Sequence, residues 1–145
     1  MSKIIINIDG GSRGNPGPAA IGVFFSGSGA DGRDFSECIG KATNNEAEYH
    51  ALIFALKKAK AIFGKEKIKK IDFEVRSDSE LLVRQMKGEY KIKEPELRGL
   101  FLDSWNLKID FKKINFVLVP REDNKRADRL VNEAFDKESR SQNLF

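Results

Sequence analysis

With 145 residues, 40% hydrophobic and 33% charged, the chain has the length and composition of one soluble globular domain with a single core. No apolar stretch approaches the ~20 residues of a bilayer span, the N-terminus carries no secretory pattern, and a lone cysteine, Cys38, excludes a disulfide framework and a cysteine metal cluster. The 26 basic and 22 acidic residues leave a net charge of +4, compatible with a polyanionic partner without requiring one, and the whole sets the expectation of a cytoplasmic protein with no membrane association.

Ile4, Ile5, Ile6 and Ile8 are β-branched and predict a buried strand that ends at Asp9. The loop "GGSRGNPG" follows. "AAIGVFFSG" reads as a second strand and "RDFSECIGKA" as a third, and their short links predict an antiparallel meander. "TNNEAEYHALIFALKKAKAIFG" is the strongest helix, with Asn44 or Asn45 as its cap and Gly64 at its end. The lysines between Lys57 and Lys70 read as a solvated helix end. "KKIDFEVRSD" is a fourth strand, and "SELLVRQMKG" a short helix starting near Ser79. A further helix begins at Pro95, "KINFVLVP" is a fifth strand, and "DNKRADRLVNEAFDKES" closes the pattern. Strands in a run, then helix and strand in alternation, imply an α/β fold. It has one mixed five-stranded sheet, three strands antiparallel and then parallel βαβ units, with helices packed on it. Residues 1–138 form the expected domain, and 139–145 a short tail in which "RSQNLF" carries no pattern.

Asp9 either caps the turn after its strand or serves a site, and the position of three other acids bears on the choice. Glu48 shares a helical face with Leu52, Ala55 and Ala59, and Asp128 shares one with Val131 and Phe135, so both point inward. A lone inward carboxylate is penalised. Asp9 and Asp78 fall at the carboxyl ends of strands, the edge where ligands gather in open α/β sheets. Four carboxylates driven together repel unless cations bind between them, and hard oxygen donors without Cys or His point to Mg²⁺ or Mn²⁺. Two such ions ~3.5–4 Å apart clamp the attacking and leaving oxygens of a phosphodiester. The alternative is that Glu48 and Asp128 form buried ion pairs with Arg or Lys. The loop after Asp9 lacks G-x-G-x-x-G spacing and leads into a strand, so it fits a dinucleotide loop poorly. It suits a phosphate or sugar edge held by backbone N–H groups. Asn44 and Asn45 serve either as plain caps or as readers of a ribose 2′-hydroxyl or a base edge.

The segments "IDGGSRGNPGPAAIG", "TNNEAEYHAL", "SDSELLVRQMKGEY" and "VPREDNKRAD", in this order, resemble type 1 ribonuclease H over nearly the whole chain. The likeness is greatest to the compact bacterial and archaeal-type members. It implies a ribonuclease H-like fold and an endonuclease that cuts the RNA strand of RNA–DNA hybrids, leaving 5′-phosphate and 3′-hydroxyl ends. Asp9, Glu48, Asp78 and Asp128 become the catalytic acids, holding two Mg²⁺ ions with Mn²⁺ as substitute. Gly10, Gly11, Ser12, Asn15, Asn44 and Asn45 become hybrid contacts. Thr43 falls near a DNA phosphate, Asn124 near the RNA, and Arg121 brings positive charge to the loop before Asp128. The resemblance implies a monomer, and leaves open that double-stranded RNA is cut as well. A binding module that has lost catalysis would not need all four acids, and a structural domain would leave the inward ones unexplained.

The chain departs from the family pattern at three places. The loop before Asp128 holds no histidine, and the only one present, His50, reads as structural. Arg121 cannot replace it as a base, because a guanidinium stays protonated. The basic helical handle of some members is missing, with only Lys87, Lys91, Lys93 and Arg98 between Met86 and Trp105. Glu80 stands where the family often has a glutamine that touches the bases.

Overall fold

The isoleucine run extends further than its pattern suggests, into the ten-residue strand β1 (Lys3–Ser12). The fold is a computed structural model that describes residues 3–27, 30 and 32–143. After β1 come β2 (Gly17–Gly27), β3 (Asp34–Ala42), helix α1 (Asn44–Phe63), β4 (Asp72–Ser77), the short helix α2 (Glu80–Met86), α3 (Pro95–Ile109), β5 (Lys113–Leu118) and α4 (Lys125–Asn143). One sheet in the order β3-β2-β1-β4-β5 carries them. β1 with β2 and β2 with β3 are antiparallel, whereas β4 runs parallel to both β1 and β5. This is the expected mixed sheet.

Gly10, Gly11 and Ser12 belong to β1 and pair with β2, so the loop beside Asp9 is shorter than the glycines suggest. A strand tolerates glycine where another backbone comes close, and that is the case here. The cap of α1 also differs from expectation. Thr43 fills it, accepting from the Glu46 N–H at 3.1 Å while Glu46 Oε1 accepts from the Thr43 N–H at 2.9 Å. This reciprocal box satisfies two donors at once, which a capping asparagine alone would not do.

Ile4, Ile6, Ile8, Val23 and Phe25 are fully buried against Leu52, Ala55, Leu56 and Ala59 of α1. Ala20 packs on the other face with Val131, Ala134 and Phe135 of α4. Within the larger core the Tyr49 hydroxyl donates to Gln85 Oε1 at 2.6 Å, and Gln85 Nε2 donates to the Lys91 carbonyl at 3.1 Å. The lysine-rich stretch is exposed at Lys57, Lys65, Lys67, Lys69 and Lys70. Lys60, however, pairs with Asp110 at 2.6 Å, and Lys58 lies over the rings of Phe35 and Phe54. α4 continues through Asn143, so the expected tail begins as helix, and its last two residues lie outside the described residues. No described helix is long and apolar enough to cross a membrane.

Candidate active site

Parallel neighbours deliver their carboxyl ends to the same edge of a sheet. Asn7 of β1 lies opposite Arg76 of β4, so two residues further on Asp9 and Asp78 emerge side by side. Glu48 comes from α1, and Gly10 sets how closely it approaches. A Cβ on Gly10 would lie 2.3 Å from the Ala47 carbonyl oxygen and 2.7 Å from the Glu48 nitrogen, so only glycine lets the helix rest on the strand there. One carboxylate oxygen each from Asp9, Glu48 and Asp78 then lie within 4.8 Å of one another.

Asp128 stands outside that tight group but lines the same cleft, whose volume is about 840 Å³. It reaches the cleft by a parallel device on the opposite face. Gly22 pairs with Asp9, and a Cβ there would lie 2.3 Å from the Ala127 carbonyl oxygen. Successive strand residues face opposite ways, so Gly10 seats α1 on one side of the sheet and Gly22 seats α4 on the other.

The acids crowd each other. Burial, then the charges of Asp78 and Asp128, push the Asp9 carboxyl up to about 7. Burial, then Asp9 and Asp78, hold Glu48 well above the usual carboxylate range. Asp78 is raised mainly by burial and further by Asp128, with the Arg121 guanidinium acting the other way. The Gly10 N–H favours the charged forms of Asp9 and Glu48. Among the described residues, the ion pairs involve neither Glu48 nor Asp128. Glu48 Oε2 is buried without a hydrogen-bond partner. The ion-pair alternative therefore has no support at these positions.

Around the acids, the Ser12 N–H donates to Asn44 Oδ1 at 2.9 Å and the Asn44 N–H donates to Asn15 Oδ1 at 2.9 Å. Both amide oxygens are thereby used, which leaves the NH₂ groups of Asn15 and Asn44 as donors to a ligand. Gly11, Ser12, Asn44 and Arg121 line the cleft. A Cβ on Gly11 would meet only Asn44 Oδ1, at 3.9 Å, so its bare backbone opens on free space. Asn45 is exposed on the first turn of α1 and, like Thr43, Asn15 and His50, is not among the lining residues. Two polar lining residues escaped the sequence reading: Asn132, and Arg13, whose guanidinium lies 4.2 Å from the Phe135 ring centroid. The signal for Arg13 was a lone cation in the glycine loop.

Asn124, expected near the RNA, is packed inside the fold. It is 1% exposed, donates from Nδ2 to the Ile8 carbonyl at 2.8 Å and accepts from Asn7 Nδ2 at 3.1 Å. Its own carbonyl accepts from the Asp128 N–H at 3.1 Å. It braces the start of α4 against β1 beside Asp9. Asn124→Ala strands the Asn7 amide and removes the brace, and should cost about 2–3 kcal/mol, lowering Tm by roughly 5–10 °C in a thermal melt.

A family model described as reverse transcriptase-like matches residues 7–134. An RNase H1 isolated from compost by a metagenomic approach superposes with a TM-score of 0.87 at 50% identity, over 95% of this chain and 99% of that one. The chain belongs to the type 1 ribonuclease H family. That compost type 1 ribonuclease H has also been solved in complex with an RNA/DNA hybrid, with a TM-score of 0.86. The ribonuclease HI of Halobacterium salinarum is 46% identical over 88% of this chain and 62% of its own length. A bifunctional protein of Mycobacterium tuberculosis is 41% identical over 96% of this chain and 37% of its own length. The chain thus spans less than two thirds of these two curated relatives.

Type 1 ribonucleases H depend on a divalent metal, and the donor set fits one. Asp9, Glu48 and Asp78 offer hard oxygens within reach of a common ion. The orphaned Glu48 Oε2 and the raised carboxyls are what a cation would relieve.

Proposed function

We propose that this type 1 ribonuclease H is an endonuclease that hydrolyses the RNA strand of RNA–DNA hybrids, leaving 5′-phosphate and 3′-hydroxyl ends, with two Mg²⁺ ions as cofactor and Mn²⁺ as substitute. The observation that carries this reading is the group of three carboxylates with a buried, unpartnered oxygen at the floor of an open cleft. The hybrid bound by the compost relative supports the choice of substrate. The reading extends to a monomeric cytoplasmic protein whose catalytic unit is residues 1–138.

Asp9, Glu48 and Asp78 would hold the ions, with Asp128 adding negative charge at the cleft wall. Held there, divalent ions would supply activation of a water and stabilisation of the departing oxygen of a phosphodiester. The chain's own groups bind and orient. The NH₂ groups of Asn15 and Asn44 donate to sugar or base-edge acceptors, the bare backbone at Gly11 admits the substrate closely, and Arg13 and Arg121 set positive charge against phosphates. Asn124, Gly10 and Gly22 hold the acids in place, and Gly10 also lines the cleft.

The test is to incubate end-labelled hybrid, duplex RNA and duplex DNA with the protein under different cations. Internal cuts in the RNA strand of the hybrid are expected with Mg²⁺ or Mn²⁺. None is expected in EDTA or with Ca²⁺ alone, whose looser coordination holds phosphate geometry poorly. Turnover in EDTA would remove the metal mechanism. Equal cutting of duplex RNA would replace hybrid selectivity by a broader activity on RNA duplexes.

A further inference from the structure

Glu80 is a fifth carboxylate in the cleft, after Asp9, Glu48, Asp78 and Asp128, and the proposed catalysis leaves it unused. It opens α2 two residues after Asp78 and lines the same cleft. Its Oε1 accepts from the Tyr90 hydroxyl at 2.7 Å and lies 3.7 Å from Arg84 Nε. The Arg84 guanidinium in turn sits 5.6 Å from the Tyr90 ring centroid. Both contacts fall on Oε1, and the side chain keeps 58% of its surface exposed, which leaves Oε2 as an acceptor with a defined seat.

A hybrid near A-form buries its major-groove edges in a deep, narrow groove and displays its bases in the wide, shallow minor groove. There every base pair shows acceptors, and the 2-amino group of guanine is the one base donor. Asn15 and Asn44, with NH₂ groups to give, match the acceptors common to all pairs and so grip without regard to sequence. Glu80 is the reverse, because an ionised carboxylate accepts and cannot donate. Facing a pair without guanine, it meets lone pairs with lone pairs. The other donor in that groove, the ribose 2′-hydroxyl, occurs at every ribonucleotide, and a contact to it alone would leave cleavage uniform.

We propose that Glu80, seated by Tyr90 and Arg84, biases cleavage toward hybrids that place a guanine 2-amino group against it. The inference rests on the hybrid-cleaving reading and makes that cleft a selective one. One net hydrogen bond at a solvent-exposed acceptor corresponds to about a five- to tenfold preference.

Cut sites should be mapped for the wild type and Glu80→Gln on hybrids in which a single guanine is walked along an otherwise constant sequence. Parallel substrates carry inosine at that position, in the RNA or in the DNA strand, removing only the 2-amino group. The expected result is cleavage enhanced about five- to tenfold at one fixed distance from the guanine. The enhancement should vanish with inosine in one of the two strands, and flatten in Glu80→Gln, whose amide both donates and accepts. The Gln variant also separates loss of the amino group from the weaker pairing of inosine. Identical patterns on guanine and inosine hybrids, or an enhancement that survives Glu80→Gln, overturn the inference alone. Failure to cut any hybrid overturns the functional reading and this inference with it.

Discussion

Asp9→Asn should lower hybrid cleavage by ~10³-fold or more while raising the melting temperature of the metal-free protein. The change keeps the shape of the side chain and removes one charge from three carboxylates whose oxygens lie within 4.8 Å. The sign of the stability effect follows from proton linkage. Asp9 titrates at about 7 in the fold against 3.8 ordinarily, and Glu48 is raised as well. As pH rises the unfolded chain ionises first, so Asp9 withdraws its part of the metal-free fold's stability between about pH 4 and 7, and Glu48 adds a loss of the same sign. Asn at position 9 removes part of that loss, and ~1–2 kcal/mol of relief corresponds to roughly 3–8 °C. Melting curves in EDTA across this pH range, with and without the substitution, test the stability effect. A divalent ion should reverse the trend in the wild type, because it binds the ionised acids. Cleavage within a few-fold of wild type would remove Asp9 from the site.

The second large effect is expected at a residue with no side chain. In Gly10→Ala the new Cβ would lie 2.3 Å from the Ala47 oxygen and 2.4 Å from its carbonyl carbon, both backbone atoms. Neither can swing aside, so α1 must move off the strand and take Glu48 with it. Overpacking of this kind costs about 1–3 kcal/mol, and a shift of ~1 Å in a catalytic group costs ~10²-fold in rate. Gly22→Ala should do the same to α4, against the Ala127 oxygen at 2.3 Å. Gly11→Ala is the control for stability, since its Cβ would meet only a side-chain oxygen at 3.9 Å. Tm and kcat measured together on the three variants decide the matter. A Gly10→Ala protein with normal Tm and rate would show that α1 is not seated by this contact.

The contrast between Gly10 and Glu48 also marks how far the sequence can be read. Glu48 is legible because Leu52, Ala55 and Ala59 on its face are all fully buried, and periodicity reports faces. Asp9 and Asp78 are legible because each falls at the carboxyl end of a predicted strand, the edge where ligands gather. Gly10 reads as a loop residue, whereas it lies inside β1 against a helix while still lining the cleft. A period says which way a residue points and nothing about how near the next backbone comes. The Asn124 brace and the Thr43 cap escape the sequence for a related reason. A polar residue at a helix start looks the same in one dimension whether it caps, braces or binds, and only the third dimension supplies Asn7 and the Ile8 carbonyl as its partners. The link from Tyr49 to Gln85 spans 36 positions of sequence and leaves no periodic trace.

The strand order has a dynamic consequence. β3 and β5 form the margins of the sheet, while β1 and β4, which carry Asp9 and lead into Asp78, lie inside it. Their central residues Ile6 and Val75 are wholly shielded from solvent, so amide protons there exchange only when the whole sheet opens, whereas the margins can fray independently. The floor of the cleft is thus built on the slowest-opening part of the molecule, and fraying at the margins leaves the acids in register until the fold itself is lost.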